Sequence, residues 1–237
     1  MTEQEVLKVL EGVGAIIRNT HVLLRSGLHG DSYVNKDAIY PYTRTTSQLC
    51  RAIAEQFLED DPEVVIAPAI GGVILSQWVA FMLTRLAMQQ RLTQKDVRST
   101  AIFAGNVIVV GALRKEVLGV YAEKSTDGET FVIKRGYDKL IPGKRVLVVE
   151  DVVTTGGSAR KVMDAVRALG GEVIGLGVLC NRGGVTPKDV GDVPKLVSLV
   201  NVKSNTWGPQ ECPLCAQKIP FNMEVGKARE LGLSIPK

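Results

Sequence analysis

The sequence predicts an α/β protein: a parallel sheet covered by helices on both faces. Two observations predict it. Short apolar, largely β-branched runs alternate with segments of helical period along most of the chain. Two of those runs, residues 64–67 and 146–149, are apolar throughout, the pattern of strands buried on both faces.

The elements follow in order. Thr2 and Glu5 form a capping-box pattern, and Val6, Leu7, Val9 and Leu10 supply the apolar face of a first helix. Residues 19–36 read as a polar loop, and 45–58 as a second helix. The strand at 64–67 ends on Pro68, and Gly71 and Gly72 lead into an apolar helix reaching about residue 88. Residues 89–98 are polar and read as exposed, and strand-like runs follow at 101–102, 107–110, 117–121 and 131–133. A strand at 145–149 feeds a helix at 158–169, with Gly170 and Gly171 as its C-terminal cap. Strands at 173–179 and 196–200 complete the pattern. Sheets of this class bind ligands at the carboxyl ends of their strands. Three segments fall there: Pro68 to Gly72, Glu150 to Ser158, and Asn181–Arg182.

Composition narrows the function classes. The chain has 237 residues, 45% hydrophobic and 23% charged, which suits one globular domain with appendages. No apolar run is long enough to span a bilayer, and the acidic, helical N-terminus is unlike a signal peptide. Four cysteines are too few for a disulfide framework, so a reducing cytoplasm is expected. A net charge of +4 suits a small anionic substrate and is too weak to argue for nucleic acid.

The stretch from Val146 to Ser158, VLVVEDVVTTGGS, carries the chemistry. A buried strand delivers two acids, Glu150 and Asp151, and then Val152 and Val153 lead to Thr154, Thr155, Gly156, Gly157 and Ser158 at a helix start. The first turn of a helix has unpaired N–H groups and partial positive charge, so it attracts phosphate. The glycines let the backbone approach the anion, and the hydroxyls add hydrogen bonds. The acids would repel a bare phosphate. They suit ribose hydroxyls, a Mg²⁺ ion or a carbon gaining positive charge. Neither GxxxxGK[ST] nor GxGxxG is present in this stretch.

This stretch resembles the phosphoribosyl-diphosphate (PRPP) motif of the type I phosphoribosyltransferases. The resemblance implies a type I phosphoribosyltransferase-like fold: a central parallel sheet flanked by helices, a small N-terminal hood over about residues 1–40, and a C-terminal extension. The transferase domain would be 1–205 and the extension 206–237. Three further segments resemble orotate phosphoribosyltransferase. Leu24-Arg25-Ser26-Gly27 stands where that family has Leu-Lys-Ser-Gly, with Tyr33 and Asn35 after it. Pro68-Ala69-Ile70-Gly71-Gly72 looks like the family's pyrophosphate loop, and Asn181-Arg182 stands where the family has Asp-Arg.

The resemblance implies transfer of phosphoribose from PRPP to orotate, with Mg²⁺ as cofactor held mainly by PRPP, in a cytoplasmic homodimer without nucleic-acid or membrane partners. It implies that Glu150 to Ser158, Ala69 to Gly72 and Lys124 bind PRPP. Arg25, Tyr33, Thr154 and Arg182 would bind orotate, and Glu150, Asp151 and Lys124 would be catalytic. The family's mobile loop carries an Arg-Lys pair, a further lysine and a histidine. Here the candidate loop, residues 123–129, keeps only Lys124; Glu123 replaces the arginine. Lys134 or Arg135 is the expected source of the missing charge, whereas Arg114-Lys115-Glu116 reads as a solvated turn. Two alternatives remain open at this level: a purine phosphoribosyltransferase, and a non-catalytic PRPP-sensing regulator.

Cys212-Pro213-Leu214-Cys215 is half of a zinc site or a redox pair. Cys212 and Cys215 would need partners from Cys180, Cys50, a histidine or another chain. Two reduced thiols in a tight turn are the simpler expectation. His21 and His29 read as ordinary polar loop residues without a catalytic role. Trp207 and Pro209 suggest a packed C-terminal lobe.

Overall fold

The structure is a computed structural model that describes residues 1–24, 26–93, 103–104, 107–108 and 116–233. Its elements are α1 (Glu3–Gly12), β1 (Ile16–Leu23), β2 (His29–Val34), α2 (Thr43–Phe57), β3 (Val64–Pro68) and α3 (Val73–Thr93). Then come the short pair β4 (Phe103–Ala104) and β5 (Val107–Ile108), followed by β6 (Leu118–Lys124), β7 (Phe131–Val132) and β8 (Arg145–Val153). The chain ends with α4 (Gly157–Ala168), β9 (Glu172–Asn181), β10 (Leu196–Asn201), β11 (Thr206–Trp207) and α5 (Pro213–Ala216). The strand-like run expected at 101–102 and the end of the one at 107–110 lie outside the described residues, as do Arg25, Arg114 and Lys115.

The central sheet has the order β10-β9-β8-β3-β6-β7. All neighbours are parallel except β6 and β7. Strand β8 shows why an unbroken apolar run belongs here. Leu147 and Val149 enter one core with Leu49, Ile53 and Leu75 from α2 and α3. Val146 and Val148 enter the other with Val162, Met163 and Val166 from α4. Each face of the strand therefore meets a helix layer, and polar alternation would leave unpaired groups inside. Among the described residues no helix is long and apolar enough to cross a membrane.

The chain leaves β3 through α3 toward β6, and leaves β8 through α4 toward β9, on the other side. The connection reverses between β3 and β8, so the crevice outside their carboxyl ends is the natural ligand position. Pro68 to Gly72 and Val153 to Ser158 are the two loops that flank it.

Three sequence expectations need correction. Residues 19–36 are mostly an antiparallel hairpin: β1 pairs with β2, Ile16 opposite Val34 and Leu23 opposite His29, with an irregularity between Arg18 and Val22. The hairpin was hidden because its polar residues Arg18, Asn19 and Thr20 interrupt the alternation, and β11 completes its sheet from far along the chain. Helix α3 runs on to Thr93, past the expected end near 88. Strand β8 extends to Val153, so Glu150 and Asp151 lie within the strand and not beyond it. The capping box at Thr2 is present as read: Glu5 N–H donates to Thr2 Oγ1 at 3.3 Å, and Thr2 N–H to Glu5 Oε2 at 2.7 Å.

Candidate functional site

Glu150 and Asp151 are only 9% and 4% exposed. The last residues of β8 continue the register with β9, Glu150 opposite Val178 and Val153 opposite Asn181, which places the acids at the mouth of the crevice. Asp151 Oδ1 accepts a hydrogen bond from Val152 N–H at 2.7 Å. Its Oδ2 pairs with Lys36 Nζ at 2.8 Å. Glu150 holds its proton well above the usual carboxylate range, first because it is buried, then because of the Asp151 charge, with Lys36 opposing. Two adjacent buried acids, one paired with Lys36 and one with a raised proton affinity, face the place where a cation or a sugar's hydroxyls would sit.

Lys36 was not identified from sequence. It follows β2 in a short 3-10 turn, Lys36–Ala38, where no local pattern marks it. Its ammonium is partly desolvated, yet its proton is held more tightly than usual because Asp151 lies beside it. A Cβ built on Gly71 would collide with Lys36 Nζ and with Asp151 Oδ2. Lys36, the β8 acid and the loop after β3 therefore meet at one point. Tyr40 fixes the same corner by donating to Gly71 O at 2.7 Å.

The loop after β3 is anchored at both ends. Ala69 N–H donates to Ala122 O of β6 at 2.7 Å, and Gly72 N–H to Pro68 O at 3.1 Å. The Ala69–Ile70 peptide is cis, and the Ile70 side chain is exposed. Helix α3 starts at Val73, so this loop adjoins a helix N-terminus.

Gly156 caps α4 with φ +73, and a Cβ there would strike Val190. Only glycine fits this left-handed turn against a buried valine. Gly157 N–H makes a long hydrogen bond of 3.4 Å to Thr155 Oγ1. Among the described residues, neither Ser158 nor Ala159 gives its N–H to a protein acceptor. The amide nest that the sequence suggested is therefore open. Thr154, Thr155 and Ser158 are exposed, Val152 is half-buried, and Val153 is buried.

Two of the residues expected to meet the acceptor base come together. Arg182 Nη2 donates to Thr154 Oγ1 at 2.9 Å, and Arg182 N–H bonds Val153 O at 2.9 Å. The guanidinium thus stands over the rim of the nest. Tyr33 is half-buried on β2, opposite Ile17. Arg25 lies outside the described residues.

Lys124 is exposed at the end of β6, two residues after Ala122, whose carbonyl holds the 68–72 loop. The 123–129 loop is a compact turn: Ser125 Oγ binds Thr130 O at 3.1 Å, and Asp127 Oδ1 accepts from Glu129 N–H at 2.8 Å. Arg135 does not supply a free charge, because its guanidinium pairs with Glu123 at 2.7 Å. Lys134 is exposed.

Cys50 on α2 and Cys180 on β9 are buried in the core and do not join the C-terminal thiols. His21 on β1 and His29 on β2, expected as ordinary loop residues, are 1% and 5% exposed and join Cys212 and Cys215 in a separate cluster.

Comparisons with known proteins give the family and the fold. Residues 42–214 match the family described as "Phosphoribosyl transferase domain". The orotate phosphoribosyltransferase of Caldanaerobacter subterraneus subsp. tengcongensis is 35% identical over 221 residues, covering 93% of this chain and 96% of that protein. The crystal structure of orotate phosphoribosyltransferase from Aeropyrum pernix superposes with a TM-score of 0.56 at 22% identity, over 83% of this chain and 93% of that one. The Mycobacterium tuberculosis orotate phosphoribosyltransferase in complex with PRPP gives 0.54 at 19% identity, over 84% and 95%. At such identities the two structures speak for the fold alone.

Proposed function

The chain belongs to the phosphoribosyl transferase domain family and groups there with the orotate phosphoribosyltransferases, and from that premise we propose that it transfers the phosphoribosyl group of PRPP to orotate, releasing orotidine monophosphate and pyrophosphate. The observation that carries the reading is the meeting of an open amide nest, a buried acid pair and Arg182 around one crevice. An amide nest suits the 5′-phosphate. Buried carboxylates suit the ribose hydroxyls and the positive charge that builds on C1 in a dissociative transition state. A guanidinium with Thr154 beside it suits the planar carboxylate of the base.

In this reading the backbone of Ala69 to Gly72 receives the departing pyrophosphate, and Lys124 and Lys36 supply cations around it. Lys36 partly offsets the charge that the 123–129 loop lacks. Burial of the acids also keeps water from the reacting carbon. Mg²⁺, carried mainly by the diphosphate, would stabilise the charge of the leaving group. The residues present fit such a hard cation: Asp151 and Glu150 offer adjacent buried carboxyl oxygens at the mouth of the crevice. The transferase unit is 1–205 and the extension 206–237. Cytoplasmic location and a homodimer complete the reading, and both rest on the family resemblance.

The test is to mix the protein with Mg²⁺, PRPP and orotate, adenine, guanine or xanthine in turn, following pyrophosphate release and base absorbance. Orotate alone should be consumed. Turnover with a purine but not orotate would make it a purine enzyme. PRPP binding without base-dependent pyrophosphate release would make it a sensor.

A further inference from the structure

His21, His29, Cys212 and Cys215 converge, and their ligand atoms all lie within 4.8 Å of one another. The convergence joins distant parts of the chain. Strand β11 pairs with β2, Trp207 opposite His29, and the chain after α5 laces along β1: Asn222 N–H bonds His21 O at 2.7 Å, and Lys227 N–H bonds Leu23 O at 2.9 Å. The cysteine pair at the start of α5 is thereby set against the two histidines of the hairpin.

Four of the six ligand-to-ligand distances lie near those of a tetrahedron. A zinc ion with bonds of about 2.0–2.1 Å to nitrogen and about 2.3 Å to sulfur separates two nitrogens by roughly 3.3 Å and a nitrogen from a sulfur by roughly 3.5 Å. Here His21 Nε2 and His29 Nδ1 are 3.3 Å apart. His29 Nδ1 lies 3.1 Å from Cys215 Sγ, and His21 Nε2 lies 3.5 Å from Cys212 Sγ and 3.8 Å from Cys215 Sγ.

Hydrogen bonding among the four groups does not account for this arrangement. His21 Nδ1 is 2.7 Å from Ile219 O and can only donate to it. That fixes the tautomer and leaves Nε2 with one lone pair facing three close neighbours. One lone pair accepts one proton, whereas a central cation engages all four groups. The Ile219 carbonyl is the kind of outer partner that orients a metal-bound imidazole. The Phe221 ring closes the site, its centroid 4.2 Å from that of His21 and 4.9 Å from that of His29.

We propose that His21 Nε2, His29 Nδ1, Cys212 Sγ and Cys215 Sγ bind a structural Zn²⁺ ion that fastens the C-terminal extension to the hood hairpin. Two thiolates and two imidazoles in a closed tetrahedron select zinc among the common divalent ions. The ion leaves no open position and takes no part in transfer chemistry, being held by elements outside the crevice. It supplies a strong link for a tail whose apolar contact is small: among the described residues Phe221 and Ala228 form a buried cluster with Leu23 of β1, and Leu233 packs against it.

The test uses the full-length protein purified without added metal. Elemental analysis should find about one zinc per chain, and Co²⁺ exchanged into the same protein should give the visible d–d absorption of a tetrahedral site with a thiolate charge-transfer band. The double variant Cys212→Ser/Cys215→Ser should retain less than a tenth of the metal and unfold at a lower temperature. Wild-type protein that holds no zinc and gives only octahedral Co²⁺ spectra would overturn the proposal, as would a double variant that keeps its zinc. A Cys212–Cys215 disulfide in fresh protein, with no Zn²⁺ uptake after reduction, would overturn it too. The wild-type measurements stand even if the variant fails to fold.

Discussion

Asp151→Asn is expected to lower kcat by roughly 10²- to 10³-fold, the usual size of removing one preorganised electrostatic partner from a transition state. The substitution keeps the shape. An Asn oxygen still accepts from Val152 N–H, which now bonds Asp151 Oδ1. Lys36 loses its partner, but its side chain is 34% exposed and can turn to water. The fold should therefore persist, with a thermal midpoint within a few degrees of wild type. What disappears is a fixed negative charge beside the carbon that becomes cationic. Steady-state kinetics alongside circular dichroism separate the two effects. A variant within threefold of wild-type turnover would mean that the acid pair does not face the sugar.

Arg182→Ala should raise the KM for orotate by about 30- to 150-fold while leaving the KM for PRPP nearly unchanged. A charge-assisted hydrogen-bond pair to a carboxylate contributes about 2–3 kcal/mol, and 1.4 kcal/mol is tenfold. The backbone bond from Arg182 N–H to Val153 O survives the change, so the end of β8 keeps its place. Arg182→Lys should recover only part of the loss, because an ammonium cannot present two parallel donors. Initial rates with each substrate varied in turn decide the matter. Equal increases in both KM values would indicate a collapsed strand end and not a lost base contact.

The parts of this protein that were legible in its sequence are those whose cause is local. Thr2 and Glu5 cap α1 because the two side chains reach each other across three residues. Val146 to Val149 announced a doubly buried strand because no polar residue interrupts them. Gly156 announced the nest because the turn needs a left-handed residue. The hidden parts depend on partners far away. The β1–β2 hairpin carries Arg18, Asn19, Thr20 and His21 in sequence, and part of its burial comes from a tail some two hundred residues later, where His21 meets the Ile219 carbonyl. Lys36 joins the site through a contact with Asp151 that no spacing rule encodes. The same distance hid the histidine–cysteine cluster. The end of β8 was set too early because two acids look like loop residues, whereas the Lys36 ion pair and the raised proton affinity of Glu150 make them tolerable in a strand.

The central claim is that one crevice, between the ends of β3 and β8, holds both the phosphate and the sugar of PRPP. A crystal structure of the protein with PRPP and Mg²⁺ tests it most directly. The 5′-phosphate should lie on the amides of Thr155 to Ser158, with the ribose hydroxyls on Glu150 and Asp151 and the diphosphate against Ala69 to Gly72. Density for PRPP at any other place, with Lys36 still on Asp151 and the nest empty, would contradict it.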